Sequence, residues 1–115
     1  MKTRNKYGNI KIDLHGTKFD SRKEARRYKD LLLLEAAGTI RNLELQPRFL
    51  LQEGFRDPAG KWIFPIHCTW DFAYEEKEKR VVEDVKSPIT RRETAYGIRK
   101  KLFMKRYPEI EFREV

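Results

Sequence analysis

The segments WDFAY at residues 70–74 and VVEDVK at residues 81–86, separated by a charged turn, predict two strands joined as a hairpin. Asp71 falls in the first strand, among aromatic residues. Asp84 and Lys86 are two positions apart in the second strand, so their side chains share one face of the sheet. The pattern therefore places two carboxylates and an amine on one rigid sheet.

Two carboxylates on neighbouring strands can form a site for a divalent metal ion. The hairpin between Asp71 and Asp84 lets them lie side by side, where their like charges repel each other. A divalent cation removes that repulsion, and Mg²⁺ prefers one or two carboxylates together with water and phosphate oxygens. The ammonium of Lys86 would point into the same site and steady an attacking water or the phosphate. Glu83 and Val85 have the opposite parity and are expected on the other face.

The same residues also have an ordinary structural explanation. In a solvent-facing hairpin, Asp84 and Lys86 would be an ion pair worth less than ~1 kcal/mol, and Asp71 would be a solvated edge residue. Glu24 has two competing interpretations. Its spacing from Ser21 matches a capping box at a helix N-terminus, whereas its place at the edge of the helix core face would let it reach the sheet. From spacing alone, the cap is the favoured interpretation.

Composition limits the class of protein. The chain has 115 residues, enough for a single domain, and its one cysteine, Cys68, cannot form an internal disulfide, which suits a reducing cytoplasm. No apolar run approaches the ~20 residues needed to span a bilayer, and residues 1–6 do not begin a signal peptide. His15 and His67 lack metal-ligand spacing and Cys68 lacks a partner cysteine, so a zinc site is not expected.

The charge is strongly positive and unevenly spread. The net charge is +8 and the sequence pI is about 9.7. Residues 1–29 hold ten Lys or Arg against three Asp or Glu, residues 90–107 hold seven against one, and the remainder is acidic overall. Two basic segments around an acidic middle favour a nucleic-acid partner over a merely soluble basic protein.

The predicted order is a flexible basic start, a hairpin, a helix, three strands, a second helix and a last strand. The expected ranges are residues 1–9, 10–19, 21–34, 43–51, 62–74, 80–86, 90–107 and 110–115. Pro47 interrupts the first strand and indicates an edge strand or a bulge, and Pro108 stops the second helix. The strand after that helix is expected to pair in parallel with the strand before it.

Both helices combine an apolar stripe with a basic surface. The predicted buried stripes are Ala25, Tyr28, Leu31 and Leu32 in the first helix, and Ala95, Ile98 and Leu102, with Phe103 beside them, in the second. The residues predicted to contact DNA are Lys23, Arg26, Arg27, Arg91, Arg92, Arg99 and Lys100. Within the second helix only Glu93 offsets the positive charges, and Arg91 and Arg92 lie near the positive end of the helix dipole. This favours a bound phosphate over a merely solvated helix face.

The motif residues resemble a known nuclease superfamily. Asp71 followed by Asp84-Val85-Lys86, with Glu24 on a preceding helix, looks like the PD-(D/E)XK superfamily, whose common core has a similar order of helix, three-strand meander, helix and strand. Trp70 stands where the motif has proline, a position that varies in the superfamily. The chain more closely resembles small phage-type members related to Holliday-junction resolvases. The stretches that carry this likeness are KYGN, FDS, NLELQP, VEDVK and YPEIEF, at residues 6–9, 19–21, 42–47, 82–86 and 107–112.

The resemblance implies a role for each motif residue. Asp71, Asp84 and the backbone carbonyl of Val85 would bind Mg²⁺ or Mn²⁺. Lys86 would be the motif lysine, and Glu24 the helical acid found in many members, reaching the metal through a water. These four side chains would form the catalytic set.

The resemblance also implies a fold, an activity and a setting. The expected fold is α/β with a mixed sheet: a restriction-endonuclease-like core of order α-β-β-β-α-β behind an N-terminal hairpin. The expected activity is metal-dependent hydrolysis of DNA phosphodiester bonds, selective for branched DNA such as a four-way junction. Symmetric cutting implies a homodimer in the cytoplasm of a bacterial host, of phage or prophage origin and without a membrane partner. The alternative is a non-catalytic DNA-binding or recombination accessory protein, for which the basic helices suffice.

Overall fold

The structure, a computed structural model, describes residues 2–4, 10–14, 17–19, 21–86 and 94–115. Their elements in chain order are β1 (Lys2–Arg4), β2 (Ile10–Leu14), β3 (Thr17–Phe19), α1 (Arg22–Ala36), β4 (Arg41–Leu45), β5 (Arg48–Gln52), β6 (Phe55–Arg56), β7 (Trp62–Ile63), β8 (Ile66–Thr69), β9 (Phe72–Glu76), β10 (Lys79–Asp84), α2 (Thr94–Arg106) and β11 (Glu111–Glu114). They form a mixed α+β fold with a mixed sheet, which confirms the predicted class. Neither helix in these ranges has the length and apolar character that crossing a bilayer requires.

The central sheet has four strands in the order β11-β10-β9-β4. β9 and β10 pair antiparallel, with Val82 opposite Ala73, which confirms the predicted hairpin. Its two-residue turn has positive φ at Lys77 and Glu78, 51° and 65°, as a type I′ turn requires. β11 follows α2 and pairs parallel with β10, with Val82 opposite Phe112, so the predicted parallel pairing is also confirmed.

The long strand predicted over residues 62–74 is wrong, because the chain there forms three shorter strands. β4, β5 and β6 pair with β9, β8 and β7 to make one bent antiparallel ribbon. At the bend, Gln46 N donates to Asp71 O at 2.9 Å and Trp70 N donates to Pro47 O at 3.1 Å. Pro47 has no N–H and Gln46 has a φ of 50°, so the antiparallel hydrogen-bond ladder changes direction here. Asp71 therefore lies in the bend between β8 and β9, not inside a strand.

The two helices cover opposite faces of the central sheet. Alternate residues of β9 and β10 point to opposite faces, so each strand contributes to two hydrophobic clusters. The cluster under α1 contains Phe19, Ala25, Leu31, Ile40, Phe72, Tyr74 and Val81. The cluster under α2 contains Phe49, Leu51, Cys68, Trp70, Ala73, Val82, Tyr96 and Phe103.

Helix α1 begins where the sequence predicts. Ser21 is its N-cap, because Ser21 Oγ accepts the backbone N–H of Glu24 at 3.1 Å. Ala25 and Leu31 of the predicted stripe are buried, and the partly buried ring of Tyr28 packs against the cluster. The start of this helix is therefore confirmed, and its core face is confirmed in part, because Leu32 is only half-buried and Leu34 packs against the cluster.

The buried face of α2 differs from the prediction. Tyr96 and Phe103, seven positions apart, are buried and pack edge-on against Trp70 at ring-centroid distances of 6.1 and 5.6 Å. The residues that periodicity assigns to the core are exposed, namely Ala95, Ile98 and Leu102. Aromatic rings bury more surface than alanine or isoleucine, so they set which side of the helix meets the sheet.

The N-terminal strands form a three-stranded sheet in the order β1-β2-β3. β2 and β3 pair antiparallel, which confirms the hairpin predicted over residues 10–19. The sequence predicts a flexible start at residues 1–9, but Lys2–Arg4 form a strand on the free edge of β2. The open backbone N–H and C=O groups of such an edge favour this pairing. The rest of the predicted flexible start lies outside the described residues.

Candidate functional site

The predicted motif residues come together at the end of β10, beside the bend. Val85 N donates to Asp71 Oδ2 at 2.7 Å, and the Asp71 and Asp84 carboxyls are close enough to interact directly. The Lys86 ammonium forms an ion pair with Asp84 Oδ2. Glu24 reaches the same cluster from α1, where its negative charge acts on Asp71. The four side chains predicted as the catalytic set therefore share one site.

The backbone on both sides of the motif is fixed by hydrogen bonds. Asp71 N donates to Glu83 O at 3.2 Å, which continues the pairing of β10 into the bend. On the other side, Val115 N donates to Asp84 O at 3.0 Å and Lys86 N donates to Val115 O at 2.9 Å. Two neighbouring strands thus hold the motif, and its side chains project from a rigid support.

The acidic side chains of the site are poorly solvated. Asp84 is only 4% exposed, and Glu24 and Lys86 are buried as well. The pKa of Asp84 is raised to about 7, first by burial and then by the charge of Asp71, while the Lys86 ammonium opposes the rise. Burial also raises the pKa of Asp71, the charge of Glu24 adds to this, and the Val85 N–H opposes it. The cluster carries more negative charge than its environment compensates.

The capping bond observed at Ser21 uses the backbone of Glu24, whereas the competing interpretations concerned its side chain. Its backbone N–H makes the capping bond to Ser21 Oγ, as the helix N-terminus requires. Its side chain is buried and lies near enough to Asp71 to raise the pKa of that carboxyl. The cap and the approach to the site are therefore compatible.

Lys86 is held by an aromatic residue that sequence reasoning missed. Its Nζ lies 4.1 Å from the centroid of the Tyr96 ring, a cation–π distance. The Tyr96 hydroxyl donates to Glu114 Oε2, and Lys100 Nζ lies 3.2 Å from Glu114 Oε1. One feature of the sequence pointed toward this network: the predicted parallel pairing of the last strand with β10, which brings Glu114 opposite Asp84.

Glu83 is oriented as predicted, away from Asp84. Its side chain is fully buried and accepts two hydrogen bonds from Arg27, Nε to Oε1 at 2.8 Å and Nη2 to Oε2 at 2.6 Å. The Tyr74 hydroxyl donates to the same carboxylate. The ion pair with Glu83 raises the pKa of Arg27. Arg27, predicted as a DNA contact, thus has its guanidinium engaged inside the protein.

Three of the other six predicted DNA contacts are also engaged within the protein. Lys23 Nζ donates to Lys86 O at 2.8 Å. Arg99 lies over the Trp70 ring at 5.7 Å, and Lys100 pairs with Glu114. Arg26 is exposed, whereas Arg91 and Arg92 lie outside the described residues. The exposed basic surface of the described helices is therefore smaller than the sequence suggests.

A cleft of about 260 Å³ opens between α1 and the motif strand. Its lining residues are Lys23, Arg26, Arg27, Asp30, Val85 and Val115. Three of these are basic and one is acidic, so the cleft has a net positive lining. Val85 also donates its backbone N–H to Asp71, but none of the four predicted catalytic side chains lines the cleft.

The carboxylates of Asp71 and Asp84 could supply only a few of the ligands of a metal ion. In the described part of the chain, no three His, Cys, Asp or Glu side chains are arranged as a metal-ligand group. Asp84 Oδ2 is buried, and its contact with Lys86 is not aligned as a hydrogen bond. Two carboxylates, one with an oxygen that lacks a hydrogen bond, fit Mg²⁺ or Mn²⁺ completed by water and phosphate better than a closed protein cage.

Comparisons with known proteins give a family but no activity. Neither the curated proteins nor the solved structures contain a match to the chain. Residues 4–115 match the family model described as "Protein of unknown function (DUF1064)", and the chain therefore belongs to that family.

Proposed function

We propose that the protein is a metal-dependent DNA endonuclease of the PD-(D/E)XK type, with a restriction-endonuclease-like core. The observation that carries this proposal is the convergence of Asp71, Asp84 and Lys86 in one buried site. A buried Asp84 carboxylate with one oxygen that lacks an aligned hydrogen bond, and with a pKa raised to about 7, costs stability, as is common for groups kept for function.

Asp71 and Asp84 would hold Mg²⁺ or Mn²⁺, with the Val85 carbonyl as a further ligand and Glu24 acting through a water. When bound, such an ion supplies Lewis acidity toward a phosphate and lowers the pKa of a coordinated water. It would also relieve the repulsion that raises the pKa of Asp84.

Lys86 would act on the phosphodiester itself. Its ammonium now neutralises Asp84, so an ion bound by Asp84 would compete for that carboxylate and leave the ammonium available to substrate. The Tyr96 ring, 4.1 Å away, keeps the ammonium at the site. A fixed positive charge stabilises the charge that develops on the attacked phosphate.

The basic cleft would position the DNA backbone next to the carboxylates. Lys23 and Arg26 are exposed cations of its lining, and Lys101 and Lys105 add exposed charge on α2. Such phosphate contacts give affinity and register without sequence preference. Selectivity for branched DNA and a homodimer belong to the proposal through the resemblance to resolvase-like members.

The test is cleavage of labelled four-way junction, duplex and single strand, each with Mg²⁺, with Mn²⁺ and with EDTA. We expect metal-dependent cutting, fastest on the junction. Asp84→Asn and Lys86→Ala should lose cutting and keep binding, while Glu53→Gln, an exposed acid away from the motif, should cut normally. Failure to cut any DNA with any of several divalent metals would reject the proposal.

A non-catalytic DNA-binding protein is the second candidate. It is favoured by one observation: Lys86 already compensates Asp84 without any metal. This alternative predicts salt-sensitive DNA binding that is unchanged when Asp71 and Asp84 are both replaced by Asn. It also predicts that divalent metals leave the melting temperature unchanged.

A further inference from the structure

The far end of the bent ribbon exposes large apolar side chains. β6 and β7 pair only with each other, beyond the ladder of β5 and β8. The exposed side chains here are Phe55, Trp62, Phe64 and Ile66, with Phe64 exposed by 75%. Exposing aromatic rings on a small domain costs free energy, so a contiguous group of them indicates a binding surface.

The turn that carries these rings is rigid. Asp57 N donates to Lys61 O at 2.9 Å, and Asp57 Oδ1 accepts the N–H groups of Ala59 and Lys61 at 2.9 and 2.8 Å. Gly60 supplies the positive φ of 86° that the turn needs, and Arg56 Nη1 donates to Gly60 O at 3.0 Å. The tip therefore presents its side chains in a fixed arrangement.

The Trp62 ring is held in place by its neighbours. Its six-membered ring lies so close to the Cα of Gly54 that a Cβ at position 54 would collide with it. The Arg56 guanidinium lies 5.7 Å from the centre of the indole, and the Phe64 ring meets it edge-on at 6.4 Å. An immobilised indole with an exposed neighbouring ring is a ready surface for stacking, since little side-chain entropy is lost on binding.

The charges of the tip fit an anionic partner. The carboxylate of Asp57 is committed to the turn, and Glu53 pairs with Arg106 at 3.2 Å. The exposed cations of the tip are Arg56 and Lys61. Aromatic rings flanked by exposed cations match nucleic acid, whose unpaired bases stack while its phosphates meet Arg and Lys.

We propose that the ribbon tip binds unpaired nucleotides of single-stranded or branched DNA, with bases stacked on Trp62 and Phe64 and phosphates near Arg56 and Lys61. This goes beyond the proposed cleavage, because it needs neither the metal nor the motif. Duplex DNA hides its base faces, so the tip discriminates for unpaired over paired nucleotides.

The experiment measures binding in EDTA, by anisotropy of a labelled short oligothymidylate and of a duplex of the same length. We expect Phe64→Ala and Trp62→Ala to weaken single-strand binding by about fivefold or more each, and Trp62→Phe to retain most of it. Binding of the duplex should change by less than about twofold. Leu33→Ala, which removes an equally exposed apolar side chain from α1, should leave both affinities unchanged.

Tryptophan fluorescence gives a second readout. Trp70 is buried, so quenching on addition of the oligonucleotide reports mainly on Trp62. Equal losses on single strand and duplex, or no loss in Phe64→Ala, would overturn the proposal. Self-association of the wild type that is lost in Phe64→Ala, without any change in DNA binding, would assign the tip to a protein contact instead. Because the assay contains no metal, its outcome is independent of whether the protein cleaves DNA.

Discussion

Arg27 on α1 neutralises the buried carboxylate of Glu83 on β10 through two hydrogen bonds, of 2.8 and 2.6 Å. The next residue, Asp84, points to the opposite face, where one of its buried oxygens lacks an aligned hydrogen bond. Two adjacent acids in one strand therefore differ in how their buried charges are compensated. The charge of Glu83 is met by aligned hydrogen bonds that support the fold, while that of Asp84 is met by the ion pair with Lys86, without an aligned hydrogen bond to Oδ2.

The pairing of Arg27 with Glu83 predicts that substitutions of two neighbouring arginines have unequal effects on stability. Arg27→Ala would leave the fully buried Glu83 without its partner, so we expect the free energy of unfolding to fall by about 3 kcal/mol. Arg26→Ala removes an exposed side chain and should change stability by less than about 0.5 kcal/mol while weakening DNA binding. Urea unfolding followed by circular dichroism measures both, and similar losses in the two variants would contradict the assigned roles.

Strand periodicity was enough to predict the faces of the motif residues. Asp84 and Lys86 share one face and Glu83 takes the other, because the alternation of side chains in a strand is a local property. The bend at Asp71 could not be predicted in this way. It depends on hydrogen bonds of Asp71 and Trp70 with Gln46 and Pro47, which lie between β4 and β5, far away in the sequence.

The roles of the charged helix residues were harder to predict for the same reason. Lys23, Arg27 and Lys100 look like surface cations in the sequence, but their partners lie on strands that only the fold brings near. The predicted buried face of α2 was wrong apart from Phe103, because the spacing of the aliphatic residues does not reveal that the Tyr96 ring packs against Trp70. Tertiary contacts of large rings decide orientation when two candidate faces compete.

The raised pKa of Asp84 predicts how stability changes with pH in the metal-free protein. The pKa is about 7 in the folded state, against about 4 in an unfolded chain. Between these values the folded protein keeps a proton that the unfolded chain has released, so stability falls as the pH rises from about 4 to about 7. Below that window Asp84 is neutral in both states and costs nothing.

Asp84→Asn should remove this penalty. We expect the variant to gain about 2 kcal/mol or more relative to the wild type between pH 4 and pH 8, measured by urea unfolding in EDTA. The substitution also leaves Lys86 without its partner carboxylate, which changes the free energy of unfolding at both pH 4 and pH 8. The relevant quantity is therefore the difference between the stability changes measured at the two pH values. A constant offset across the pH range would show that Asp84 titrates normally in the fold.

Metal binding at the carboxylates predicts a gain in thermal stability. An ion that binds only the folded protein stabilises it by about 2.7 kcal/mol at a hundred times its dissociation constant, so Mg²⁺ or Mn²⁺ should raise the melting temperature and EDTA should reverse the rise. Asp71→Asn and Asp84→Asn should not respond, whereas Glu53→Gln should respond like the wild type. An equal response in all four proteins would place the ion elsewhere.

We expect the single cysteine to react slowly with thiol reagents. Cys68 is buried under α2, and burial raises its pKa to about 11, so the reactive thiolate is scarce at pH 8. We expect labelling by a disulfide reagent to be at least about a hundredfold slower in the native protein than in denaturant. Fast labelling of the native protein would mean that the cluster of Phe49, Trp70 and Phe103 opens readily.

The aromatic contact of Lys86 predicts a separation between two substitutions of Tyr96. Tyr96→Phe keeps the ring over the ammonium and loses only the hydroxyl bond to Glu114, so cleavage should stay within about threefold of wild type. Tyr96→Leu removes the cation–π contact, and we expect single-turnover cleavage to slow by roughly three- to thirtyfold. This prediction depends on the proposed endonuclease activity and is measured below the melting temperature of each variant, because Tyr96 is buried. Equal damage from both substitutions would assign the effect to the hydroxyl and Glu114, and no damage from either would remove Tyr96 from the site.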